Sequence, residues 1–190
     1  MTGDSTGWVV LGAGGHARSV VDVLTDDREA FELIAAQGLR AVVAIGAGPA
    51  RTGLVRELEV PPVVASTATV SPRSVLGAGT VVLEHAHVGP ASRVGEAVIV
   101  NTGAIVEHDC RVGAGSHVAP GAVLLGGASV GGGVLVGSGA RVLPRVSVGA
   151  GATIGAGAVV TAHVADGQTV IGVPAVTRGV GRDSRTGGSL

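Results

Sequence analysis

Stepping through this chain six residues at a time from Val70 meets Val, Leu or Ile at all sixteen stops to Val160. The residue two places before each stop, from Ala68 to Ala158, is small or β-branched. Gly directly follows the aliphatic position at Gly77, Gly89, Gly95, Gly113, Gly131, Gly137, Gly149 and Gly155. A period of six matches neither the 3.6 of a helix nor the 2 of one long strand. It matches short strands joined by tight corners, with three hexads closing one triangular coil. The aliphatic side chain points into the prism, the small residue fits the corner beside it, and Gly is expected where a corner needs positive φ. Sixteen hexads make about five coils, a rod roughly 25 Å long at the ~4.8 Å strand spacing.

Composition agrees with so narrow a prism. Trp8 and Phe31 are the only aromatics among 190 residues, yet 46% of the chain is hydrophobic. Aromatics do not fit inside such a coil, and the apolar content argues against disorder. Gly is 34 of 190 but does not recur every third residue, which excludes collagen. A net charge of −1, with scattered Arg and no Lys, gives no electrostatic case for nucleic acid or an anionic membrane. No apolar run approaches the ~20 residues of a membrane span, and Met1 to Gly7 hold no secretory apolar region. The single cysteine, Cys110, rules out an intrachain disulfide framework. A soluble cytoplasmic protein is expected.

The N-terminal third reads differently. Trp8 to Leu11 is a buried-strand pattern, followed by Gly12-Ala13-Gly14-Gly15-His16 and an apolar-periodic helix with Val20, Val21, Val23 and Leu24. Strand, Gly-rich turn and helix make a start at which backbone N–H groups favour an anion. The pattern is G-x-G-G-H rather than G-x-G-x-x-G, so a dinucleotide is not supported. A second helix is expected over Phe31 to Gly38 and a second strand over Ala41 to Ile45, with Gly46-Ala47-Gly48 and Arg51 beyond it.

Two runs narrow the reading. Val10-Leu11-Gly12-Ala13-Gly14-Gly15-His16-Ala17 is one. Asn101-Thr102-Gly103-Ala104-Ile105-Val106-Glu107-His108-Asp109-Cys110, then Gly115-Ser116-His117-Val118, is the other. With the hexads between and after them, and Gly172-Val173-Pro174-Ala175 closing, the chain resembles the sialic-acid O-acetyltransferase and nucleotide-4-amino-sugar N-acetyltransferase family. Those are hexapeptide-repeat acyltransferases, and the likeness runs from Trp8 to about Arg178.

The resemblance implies a mainly β fold, a left-handed parallel β-helix preceded by a small, shortened Rossmann-like α/β domain. The divisions expected are a flexible N-terminus (1–7), the acceptor-binding α/β domain (8–65), the β-helix (66–165), a capping segment (166–178) and a disordered tail (179–190). It implies acetyl-CoA as co-substrate, no metal, and a homotrimer with active sites between subunits. His108 matches the family's general base and Asp109 its acidic neighbour. His117 matches a histidine near the acetyl-CoA thioester. Gly126, Ser138 and Ala156 fall where the family lines its CoA groove, and Gly14, Gly15 and His16 where it holds the sugar nucleotide. The family's second strand ends in an acidic pair. Here Asp26-Asp27 comes almost directly after the first helix, and Ala47 stands where the family often has Asn, so the acceptor is the open question.

The residues carry the chemistry independently. Acetyl transfer needs a base to take the acceptor's proton, and an imidazole with an ordinary pKa near 6.5 suits it. A carboxylate beside it orients the ring and stabilises imidazolium. The developing oxyanion needs a donor, for which His117 or a backbone N–H serves. Gly126 lies eighteen residues after His108 and so directly over it, leaving space beside the base in which pantetheine fits. Asp109 reaches His108 only if the chain bends there, since adjacent strand residues face opposite ways. Cys110 holds a packing position, and His163 is expected to be solvated where the repeat stops. The leading reading is acetyl transfer to the 4-amino group of a nucleotide-activated amino-deoxy sugar. Transfer to a sugar hydroxyl and a non-catalytic trimeric scaffold are the alternatives. A γ-type carbonic anhydrase needs two His five residues apart, whereas His108 and His117 are nine apart.

Overall fold

The computed structural model describes residues 8–11, 40–43, 48–58 and 60–178. From Val63 to Ile171 the chain winds a three-sided parallel β-solenoid of about six turns, consistent with the left-handed β-helix. Its strands are mostly two residues long, and each pairs with the strand eighteen residues on, as Ile105 does with Val123 and His117 with Leu135. Thr69–Val70 and the strands stacked on it form the first face, Val75–Leu76 starts the second, and Val63–Val64 starts the third.

Within each strand the second residue turns inward. From Val82 to Val160 these aliphatic residues form one buried column, together with the small residues of the corners. Leu124 and Ile154 are the bulkiest apolar side chains wholly enclosed, so the prism holds nothing larger than Leu or Ile. Each such burial contributes about 1.5–3 kcal/mol.

Two corrections concern the corners and the length of the coil. The glycines just after the aliphatic position are not the left-handed ones. Positive φ recurs every six residues at the next phase but one, at Gly79, Gly103 and Gly115 among others. His85, Ala91, Ala97, Asp109 and Arg145 also adopt it there. The glycine after the aliphatic residue is required by close approach instead. A Cβ on Gly95 would lie 2.8 Å from Ala114 N in the next turn, and one on Gly113 would collide with the backbone of Gly131 and Gly132.

The second correction is length. The ladder includes Val63–Val64 before the hexads and Thr169–Ile171 after them, adding to the five coils counted. Val64 is itself six residues before Val70. At the other end Val164 bridges Val148 and Val170 pairs Ile154, each sixteen residues on rather than eighteen. The corner before Val164 is two residues short, so the hexad count loses phase while the coil continues. His163 sits at that corner. It is exposed but not merely solvated, because its Nδ1 accepts the Ser147 N–H at 2.9 Å. Asp166 Oδ1 accepts the Ala150 N–H at 2.8 Å. These side chains satisfy backbone donors that the shortened corner would otherwise leave open.

Hydroxyl groups at the small positions tie successive turns. Ser116 Oγ donates to Gly131 O at 2.8 Å and accepts the Val134 N–H at 3.1 Å. Ser92 does the same with Glu107 O and Cys110 N, and Thr80 with Gly95 O and Val98 N. Ser116→Ala leaves the buried Val134 N–H without this partner, and is expected to lower unfolding free energy by about 1–3 kcal/mol in a denaturant titration.

Outside the solenoid, β1 (Trp8–Leu11) pairs in parallel with β2 (Arg40–Val43), with Trp8 opposite Arg40. Helix α1 (Gly48–Leu58) follows. The sequence reading has no helix there, only Gly46-Ala47-Gly48 closing the second strand and Arg51 beyond it. Pro is tolerated in a first helical turn, and the helix draws its stability from docking on the solenoid through Val55, which is wholly buried. No helix of the described residues is long and apolar enough to cross a membrane.

Candidate active site

Glu107 to Cys110 form the corner between the first and second faces. Asp109 occupies the left-handed phase, with φ of 60°. Asp tolerates that conformation better than most residues. This is the bend that an adjacent His–Asp pair requires. It turns the Asp109 carboxylate back along the corner, so that His108 Nδ1 donates to Asp109 Oδ2 at 2.8 Å. With Nδ1 carrying the proton, the neutral ring leaves its Nε2 lone pair free. Both side chains are more than half exposed, at 59% and 65%, so the pair is open to an incoming substrate.

Gly126 lies over His108 as its spacing predicts, but the space it leaves is filled by the imidazole itself. A Cβ on Gly126 would lie 2.5 Å from His108 Nε2 and 2.6 Å from Cε1. The open space expected there for pantetheine is therefore taken by the ring. The backbone is pinned as well, since the Gly127 N–H donates to His108 O at 2.9 Å. Dihedral, carboxylate and glycine together fix where Nε2 points.

His117 opens a strand of the third face and is half-buried. Its partner is Asn101, whose Nδ2 lies 3.0 Å from His117 Nε2. The Asn101 amide is oriented by the Thr102 N–H, which donates to Oδ1 at 2.7 Å. Nδ2 must then be the group facing the ring, so Nε2 accepts and Nδ1 carries the proton. Burial first, and then the Arg51 charge, hold His117 below the ordinary imidazole range. A neutral, Nδ1-protonated His117 is a hydrogen-bond donor that releases no proton at neutral pH, which is what an oxyanion partner needs.

His108 and His117 belong to different sides of the same prism, with the second face between them. Ser138 and Ala156 stack at the third corner, where the Gly157 N–H donates to Ser138 O at 2.9 Å. One chain thus brings together His108, Asp109 and Gly126. It holds His117 with Asn101 elsewhere, and Ser138 and Ala156 stack two and three turns on from Thr102 at the corner that Asn101 opens. Gly14, Gly15 and His16, like Asp26-Asp27 and Ala47, lie outside the described residues. Cys110 is buried, and burial pushes its thiol up to about 11, so it stays protonated and is no nucleophile.

Sequence reasoning passed over two contributors. Asn101 opens one of the two runs without a role of its own, although it sits one turn below the residues that follow His117. Arg51 was noted without a role, yet it is wholly buried against the corner that leads into His117.

The bacterial transferase hexapeptide (six repeats) family matches residues 127–162. No curated protein sequence matches. Among solved structures, the chain is 38% identical to PerB from Caulobacter crescentus bound to CoA and GDP-perosamine. That match covers 91% of this chain and 97% of that one, with a TM-score of 0.81. A mutant of perosamine N-acetyltransferase from the same organism, with the same two ligands, is 37% identical over 91% and 97% of the two chains, TM-score 0.81. The acetyltransferase domain of PglB from Neisseria gonorrhoeae with acetyl coenzyme A is 32% identical over 91% and 99%, TM-score 0.82.

Proposed function

This chain belongs to the hexapeptide-repeat N-acetyltransferases of nucleotide-linked amino sugars, and on that premise we propose that it transfers acetyl from acetyl-CoA to the 4-amino group of a nucleotide-activated amino-deoxy sugar. The observation that carries the reading is the His108–Asp109 pair seated on Gly126. The acceptor nitrogen attacks the thioester carbonyl carbon directly. His108 Nε2 takes the proton that the nitrogen loses, and Asp109 stabilises the imidazolium that results. The carbonyl oxygen becomes an oxyanion, to which His117 Nδ1–H donates. When the intermediate collapses, the C–S bond breaks, and the CoA sulfur leaves with the proton held on His108.

Acetyl-CoA lies along Gly126, Ser138 and Ala156 in this reading, and residues 8–65, with Gly14, Gly15 and His16, take the sugar nucleotide. Because His108 and His117 stand on different sides of one prism, a site containing both forms where two copies meet. A homotrimer supplies three such seams. The outward residues flanking His117 on its face, Ile99 and Leu135, are apolar and suit a covered surface.

Calorimetric titration with acetyl-CoA, paired with sedimentation equilibrium, tests this. One site per chain at micromolar affinity on a trimer is expected. A monomer that binds no acetyl-CoA overturns it.

A further inference from the structure

Among the described residues Arg51 is the largest side chain with no solvent exposure, and it does not come from the solenoid. It projects from α1, whose docking follows the solenoid's own geometry. Gly79, Ala97 and Gly115 are eighteen residues apart and form one corner of three successive turns, all with positive φ. Val55 packs on Gly79, where any Cβ would strike its methyl groups. Four residues earlier on the helix, Arg51 Nε donates to Ala97 O at 2.7 Å and its Nη2 donates to Gly115 O at 2.7 Å. Four helical residues rise about 6 Å, against about 4.8 Å for each turn of the solenoid, so α1 runs along the corner and meets its turns in sequence. Arg56, on the exposed side of α1, pairs with Glu96 at that corner.

Docking alone does not call for a buried guanidinium. Val55 supplies an apolar contact and Arg56 an ion pair, while burying a charge is costly unless its donors are met. The planar fork of Arg suits one further task, which is to hold two turns at once. The segment it holds, Gly115 and Ser116, runs straight into His117, and Arg51 Nη2 also lies 3.4 Å from Ser116 O.

We propose that Arg51 is a positioning residue for the donor half of the reaction, fixing the backbone from which His117 projects and so aiming the His117 Nδ1–H. The part of this that concerns acetyl-CoA rests on the function proposed above, whereas the link between Arg51 and His117 does not. The charge acts in the same direction as the geometry. His117 is stacked between Ile99 and Leu135 in neighbouring turns and faces the neutral Asn101, so among the described residues Arg51 is the charge that bears on it. A positive neighbour resists imidazolium, in which both ring nitrogens would donate and the Asn101 contact would be lost. Since its folded pKa lies below the unfolded value, the contribution of neutral His117 to stability is complete above about pH 6.5. It is lost as pH falls through the lowered folded value.

The test is histidine NMR titration of the full chain without substrate, with acetyl-CoA affinity measured in parallel. The proteins compared are wild type, Arg51→Met, Arg51→Lys and Val55→Ala. Arg51→Met should raise the His117 midpoint towards the ordinary value and weaken acetyl-CoA about tenfold, the scale of losing a histidine's orienting partner. Arg51→Lys keeps the charge but cannot span both turns, so His117 should titrate low while acetyl-CoA still weakens. Val55→Ala should lower the melting temperature and leave His117 unmoved. The proposal is overturned if His117 titrates alike in wild type and Arg51→Met. It is also overturned if Val55→Ala shifts His117 as far as Arg51→Met does, which makes docking the whole effect, or if neither Arg51 variant folds, which makes the role one of folding. If wild type binds no acetyl-CoA while His117 still responds to Arg51, the donor assignment fails and the structural coupling stands.

Discussion

His108→Ala is expected to lower kcat by about 10²–10⁴, the range for removing a positioned general base. The side chain is 59% exposed and fills no core space, so melting temperature and acetyl-CoA affinity should stay near wild type. Asp109→Asn should cost less than His108→Ala. Asn accepts the same left-handed backbone as Asp109, with φ of 60°, and keeps an oxygen for Nδ1–H, but loses the charge that favours imidazolium. The size of the His108 effect also reports on the acceptor. An amine already unprotonated at working pH needs little help, whereas a hydroxyl depends heavily on the base. A loss near the lower end therefore supports an amino acceptor. Wild-type kcat in His108→Ala, with acetyl-CoA saturating, would remove His108 from the chemistry.

Gly126→Ala is expected to abolish most activity while leaving the fold intact. The added Cβ would fall 2.5 Å from His108 Nε2, so the ring has to move. What it meets is the free end of a side chain, and Gly126 is not among the residues with positive φ. The solenoid should therefore tolerate the methyl, and the catalytic ring should not. A loss of about 10²-fold or more is expected, approaching that of His108→Ala. Once the ring is displaced there is little left to remove, so the double variant His108→Ala/Gly126→Ala should be no worse than His108→Ala. Such non-additivity marks two residues acting as one unit. Full additivity, or an unimpaired Gly126→Ala, would show that the ring does not work from the position it holds.

The hexad made the solenoid legible because each of its terms has one physical cause: an aliphatic residue for the prism, a small one for the corner. It also placed Gly126 over His108, since stacking turns convert eighteen residues into contact. It misassigned the glycines because a required left-handed φ and a close backbone approach select the same residue. Only the turn above Gly113 shows which applies. The end of the coil was obscured by the two residues missing before Val164, which break the count without breaking the ladder. Asp109 was identified by likeness to the family, and the bend that makes it useful lay in a phase that also admits Ala97 and Arg145. Helix α1 and Arg51 were not legible. Gly48-Pro49 and Gly53 are weak helix formers, and what overrides them is tertiary contact far along the chain, Arg51 with Ala97 and Gly115.

The central claim is acetyl transfer to a nucleotide-linked 4-amino sugar. Its most direct test is mass spectrometry of the sugar after incubation with acetyl-CoA, with thiol release followed in parallel. GDP-perosamine serves as the first acceptor, and other nucleotides bearing 4-amino-4,6-dideoxy sugars follow. The account predicts an N-acetylated sugar nucleotide with one CoA thiol released for each acetyl transferred, and loss of both in His108→Ala. Acetyl-CoA that binds wild-type protein but acetylates none of these sugars, or turnover that persists in His108→Ala, would contradict it.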